Sequence, residues 1–145
     1  MIDRYSPKEI ADIFSDRSRF ATWLEIEILA TEAWAELGVV PGDHARAVRE
    51  NAPKVDAEFV ALVNEREKVT NHDVAAFVDV VQSKIGFPHG SWIHYGLTSS
   101  DVVDTALCYL MTKAADTVIE AVVKLLDTLV DQTFSQDWIA LVRHG

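Results

Sequence analysis

After Lys113, polar residues recur at Asp116, Thr117, Glu120, Lys124, Asp127 and Asp131, in steps of mostly three and four. Almost every position between them is apolar: Ala114, Val118, Val122, Val123, Leu126, Leu129 and Val130. Val102, Val103, Ala106, Leu107, Leu110 and Met111 extend the pattern toward the N-terminus. That spacing belongs to a helix, and it predicts one from about Ser100 to Phe134, the longest in the chain. Its apolar face is wider than the short segments upstream need. Such a helix belongs in a bundle and in a subunit interface, so the chain is expected to be all-α.

Strand signals are nearly absent elsewhere, and helix punctuation is frequent. Ser6-Pro7-Lys8-Glu9 reads as a capping box with proline at the first helical position, opening a short helix to about Phe14. Asp16 is expected to cap a helix that runs to about Leu37 and stops at Gly38. Its apolar residues, among them Phe20, Trp23, Leu24, Ile28, Leu29 and Trp34, cover more than one stripe, which predicts enclosure on several sides. Glu25, Glu27, Glu32 and Glu36 supply its polar positions. Further helices are expected from about Asp43 to Asn51, from Asp56 to Lys68, and from a Thr70 cap to near Gly86. Phe87 to Gly96 reads as a loop. The expected organisation is a small helical domain over 1–96 and the start of a central helical-bundle domain over 97–145.

At 145 residues the chain is one domain's worth by length. Its net charge of −10 argues against a nucleic-acid backbone or an anionic membrane as partner. No apolar run is long enough to span a bilayer, and no secretory signal pattern opens the chain. The single cysteine, Cys108, excludes a disulfide framework and reads as packing, and a reducing cytoplasm is the expected home. No zinc spacing, no Gly-rich phosphate loop and no Gly-x-Ser-x-Gly elbow is present.

The residues that could carry chemistry fall in three places. Thr98 and Ser99 open the long helix, where free backbone N–H groups and partial positive charge can hold an anion. Serine and threonine are also ordinary N-caps, and both roles are compatible only if a hydroxyl or an N–H stays available. His94, between Trp92 and Tyr95 ahead of Gly96, reads as a proton-transfer group or a satisfied structural histidine, and its place before a helix start favours function. His72 lies in a helix's first turn, where the dipole disfavours an imidazolium. With Asp73 beside it, it is either a site residue or part of a local cap. Arg4 and Tyr5 suit a phosphate, though read alone they are a surface arginine and a packed tyrosine. His44 and His89 receive no role. His144, at the chain's end, is the kind of histidine that usually stands idle.

These pieces occur together. Asp3-Arg4-Tyr5-Ser6, Trp23 through Ala30, Glu32 through Gly38, Asn71-His72-Asp73-Val74 and the run Trp92 through Thr105 closely resemble the adenylosuccinate lyase family of the fumarase/aspartase superfamily. The likeness runs from Met1 to about Asp131. It implies a homotetramer with pooled central helices and no metal or organic cofactor. It also implies elimination of fumarate from adenylosuccinate to give AMP, and from the succinyl-carboxamide ribonucleotide of purine biosynthesis. By the match, Arg4 and Tyr5 look like nucleotide-binding residues, and Asn71, His72 and Asp73 like a second nucleotide and substrate contact. His94 looks like an active-site histidine, and Thr98 and Ser99 like the grip on the succinyl carboxylates.

Two departures accompany the resemblance. The family's loop carrying a serine base has no counterpart in these residues. The family's Gly-Arg-Thr-His-Gly, whose histidine is a general acid, is similar to Arg143-His144-Gly145 with one residue lost, or else lies beyond it. The chain therefore reads as an N-terminal portion, expected to be inactive alone. The competing readings are a non-catalytic helical oligomerisation module and a sister lyase such as argininosuccinate lyase.

Overall fold

Each helix begins where the sequence offers its first turn a proline or an acceptor for a free backbone N–H. The computed structural model describes residues 5–134. Among them are α1 (Lys8–Ile13), α2 (Asp16–Glu36), α3 (Gly42–Glu50), α4 (Ala57–Thr70), α5 (Asp73–Ile85), a 3₁₀ turn (His89–Trp92) and α6 (Ser99–Phe134), with no strand. The all-α expectation holds.

Several caps differ from the sequence reading by a residue or two. Pro7 occupies the N-cap of α1 rather than its first turn. Ser15, not Asp16, caps α2, its hydroxyl accepting from the Ser18 N–H. Thr70 is the last residue of α4 and does not cap α5. Asn71 ends α4 in the left-handed region at φ 51°, and His72 becomes the N-cap of α5. Asparagine tolerates that conformation, so the chain can turn within one residue. Asp56 caps α4 as expected, accepting from the Phe59 N–H at 3.1 Å. That bond holds its carboxyl below the usual range.

The core gathers around aromatic rings. Phe20 stacks on Phe77 with centroids 5.8 Å apart, and Trp23 meets Phe77 edge-on at 5.4 Å. Both helices carrying them are lined with fully buried side chains, including Trp23, Glu27 and Thr31 on α2. α2 packs against α1, α3 and α4, α4 against α5, and the 3₁₀ turn against α3 and α5. The turn sits so close to α5 that a Cβ on Gly90 would lie 2.6 Å from the Gln82 carbonyl oxygen. The Gln82 side chain in turn donates to the Ile93 carbonyl at 3.1 Å. The loop expected over Phe87 to Gly96 is therefore a fixed, partly helical segment.

The chain divides into two compact units, Met1–Leu110 and Met111–Gly145. Within the first, Val102, Ala106 and Leu110, four residues apart on α6, are buried. In the second, Met111, Val118, Ile119, Val122, Leu126, Leu129 and Val130 are each about half exposed. Cys108 also differs from expectation: it is exposed on α6 rather than packed. Leu29 on α2 and Leu37 at its C-cap are likewise exposed, so enclosure is incomplete in this chain. Among the described residues no helix is long and apolar enough to cross a membrane.

Candidate functional site

The amino end of α6 forms one side of a hollow of about 380 Å³ lined by His72, Val74, Ala75, Val78, Asp79, His94, Leu97, Thr98 and Ser99. This is near the low end of ligand-pocket volumes, roughly 300–1,000 Å³. Four of the sequence candidates, His72, His94, Thr98 and Ser99, thus converge from two separate segments of the chain. A larger hollow of about 910 Å³ contains none of the four and shares only Asp79 with this one.

The α6 terminus meets the condition set for anion binding. The Thr98 N–H donates to Asp101 Oδ2 at 2.8 Å, so the carboxylate three residues along closes the cap. Among the described residues, no hydrogen bond ties up the Thr98 or Ser99 hydroxyl. Asp101 also places a negative charge at this end, offset in part by the dipole it faces. Asp79, the acid that lines the hollow, is paired with Arg66, whose Nε donates to its Oδ2 at 2.7 Å.

His72 is fixed by its own helix. Its Nδ1 accepts from the Ala75 N–H at 3.3 Å, so the proton of the neutral ring is on Nε2. Asp73 Oδ1 lies 3.5 Å from the same Nδ1 but accepts the Val74 N–H at 2.7 Å. While Nδ1 serves as an acceptor, the capping role is the better description than an ion pair.

His94 is fixed from a distance. Its backbone occupies the left-handed region at φ 68°. The Glu27 carboxylate reaches it twice: Oε2 accepts the His94 backbone N–H at 2.7 Å, and Oε1 lies 2.6 Å from Nδ1. Glu27 is completely buried, while the His94 side chain is 24% exposed and so open to the hollow. The loop around it is clamped further. The Trp34 indole N–H donates to the Tyr95 carbonyl at 3.0 Å, and the Trp92 indole N–H donates to His44 Nδ1 at 3.1 Å. Gly96 completes the turn at φ 73°, where a Cβ would sit 3.0 Å from the Trp34 ring.

Of the other candidates, Tyr5 is exposed and does not line this hollow, which contradicts the packed reading. Asn71 and Asp73 flank His72 without lining the hollow. Arg4 and His144 lie outside the described residues. Glu27, expected only as one of the polar positions of α2, is a further residue of the site. The available signal was its register, since Trp23, Leu24, Glu27, Ile28 and Thr31 share one helical stripe. His44, given no role, supports Trp92. Among the described residues no group of three or more His, Cys, Asp or Glu could hold a metal ion.

A family profile described as Lyase matches residues 4–142. The chain is 46% identical over its whole length to adenylosuccinate lyase of Bacillus subtilis (strain 168), covering 33% of that protein. It is 43% identical to adenylosuccinate lyase of Aquifex aeolicus, again over all of this chain and 33% of the relative. The chain thus spans about a third of the length of these curated relatives. A crystal structure of fumarate lyase from Mesorhizobium sp. BNC1 aligns with a TM-score of 0.65 at 22% identity, over 74% of this chain and 25% of that one. That likeness concerns the fold.

Proposed function

Because the chain belongs to the Lyase family, we propose that it supplies part of the active site of an adenylosuccinate lyase. The reaction is elimination of fumarate from adenylosuccinate and from the analogous succinyl-carboxamide ribonucleotide. The observation that carries this reading is the convergence of His72, His94, Thr98 and Ser99 on one hollow.

In such an elimination a base removes a proton from the carbon next to a carboxylate. The C–N bond then breaks, and the leaving nitrogen receives a proton. The developing charge needs donors aimed at it, and the leaving group needs a positioned acid. Thr98 and Ser99 are assigned the succinyl carboxylate. His94 orients and polarises the substrate, and His72, with Asn71 and Asp73 beside it, contacts nucleotide and substrate. Arg4 and Tyr5 are assigned to the nucleotide, with Arg4 toward the phosphate, and His144 to the acid. The same reading makes 97–145 the opening of a central bundle domain shared by a homotetramer. It places the enzyme in the cytoplasm and requires neither metal nor organic cofactor.

The test grafts residues 1–131 in place of the matching part of the Bacillus subtilis relative and measures fumarate release. The chimera is expected to be active. Replacing Ser99 with Ala is expected to weaken substrate binding by about 10-fold or more, the loss typical of a hydrogen bond to a charged group. An inactive but folded chimera, together with no saturable adenylosuccinate binding by the chain, would overturn the reading. It would favour a purely structural module instead, for which the half-exposed apolar residues of α6 are the motivating observation. A substrate panel including argininosuccinate separates the sister lyases.

A further inference from the structure

We propose that Glu27 is a positioning residue for His94: its buried carboxylate takes both the backbone N–H and the ring Nδ1–H, so the ring presents a bare Nε2 to the hollow. The inference deepens the reading above and rests on it for the catalytic consequence, though not for the geometry.

An ionised carboxylate withdrawn from water needs donors on its oxygens. Glu27 has no exposed surface, and His94 provides a donor for each oxygen, at 2.7 and 2.6 Å. Such charge-assisted bonds are short and strong. A carboxylate can only accept, so the Nδ1 facing it must carry the hydrogen, which in the neutral ring leaves Nε2 without one. The left-handed turn at His94 lets one residue direct its amide and its ring toward the same acid. A loop histidine is thereby held as firmly as a helix residue, and it needs that precision if it is to orient a substrate.

The consequence is a division of labour in the hollow. His72 spends Nδ1 on its helix and offers an Nε2–H donor. His94 spends Nδ1–H on Glu27 and offers an Nε2 acceptor. A substrate carrying both an acceptor and an N–H or O–H donor is matched by this pair, and the succinyl-substituted amine of the proposed substrate carries both.

Two arms test the proposal. Long-range ¹H–¹⁵N spectra of the chain read the tautomer directly: His94 is expected as Nδ1–H, and an Nε2–H form would overturn the proposal whatever the activity. In the chimera, Glu27→Gln replaces two acceptors with one acceptor and one donor. With the Gln oxygen on the backbone N–H, its NH₂ meets Nδ1 and drives the ring to Nε2–H. The kcat is then expected to fall by about 10²-fold, the cost of misplacing a group that orients the substrate, with KM changed by less than about threefold. Glu27→Asp, which keeps the charge, should recover part of the loss. A Gln variant with an unchanged tautomer and kcat would overturn the proposal. If that variant does not fold, the unsubstituted spectrum and the Asp variant decide. A chimera with Glu27 intact that releases no fumarate counts against the lyase reading alone, because the spectrum still decides the geometry.

Discussion

The turn holding His72 and the segment holding His94 line the same hollow, yet they are built in different ways. His72 is held by an amide three residues along its own chain. His94 is held by a carboxylate 67 residues away, buried in another helix. The first arrangement is local and can form as soon as α5 forms. The second exists only once α2 and the loop after the 3₁₀ turn have packed together. One hollow thus combines a histidine whose geometry any short peptide could approximate with one whose geometry depends on the whole core.

The largest break in that contrast should come from His94→Ala. It takes from the buried Glu27 carboxylate the hydrogen bond of its ring partner, and a hydrogen bond to a charged group contributes about 1.5–3 kcal/mol. The urea midpoint should drop accordingly. The double variant Glu27→Leu/His94→Ala should be more stable than His94→Ala alone, because it removes the orphaned charge. A double variant less stable than the single would show that the pair is not the source of the loss.

The local side should be far more forgiving. His72→Ala removes one cap and should cost about 1 kcal/mol. His72→Asn, a better capping residue, should restore the midpoint while leaving the hollow without its ring. In the chimera, stability and substrate binding should then separate: Asn rescues the first and not the second. Rescue of both would mean that His72 serves only as a cap.

The smallest effect sharpens the comparison by touching neither histidine. Arg49 joins α3 to α2 through Glu32 and Glu25, with its Nη2 2.8 Å from Glu32 Oε2. The hydrogen bond from Arg49 holds the Glu32 carboxyl below its ordinary 4.5. A lowered carboxyl contributes stability that is fully present above the unfolded value and is lost as pH falls through the folded one. The pair is partly exposed, so solvent screening limits the effect to a few tenths of a kcal/mol. Below about pH 4.5, the stability difference between the parent chain and Glu32→Gln should shrink toward zero. A difference that persists there would assign the contribution to shape rather than charge.

Legibility in the sequence followed the same division. The helices were readable because 3.6-residue periodicity and cap chemistry are local properties, and α4, α5 and α6 fall close to their expected spans. The errors of one or two residues came from adjacent candidates competing for one role. Ser15 and Asp16 can both cap, and Thr70, Asn71 and His72 divide an end and a beginning among them. Thr98, Ser99 and both histidines stood out by type and position. Glu27 did not, because an isolated glutamate in a helix is almost always at the surface. Its partner is far away in sequence, and only its place in the Trp23–Thr31 stripe hinted at burial.

The left-handed turn at position 94 sets two requirements that favour different amino acids. Backbone sterics alone would choose glycine or asparagine there, since other residues forgo about 1–2 kcal/mol in that conformation. A ring that gives one nitrogen to Glu27 and turns the other to the hollow requires histidine. Random drift at this codon therefore has a comfortable direction that preserves the loop's path and abolishes its chemistry. Descendants that took it would keep the shape of the hollow around a silent wall.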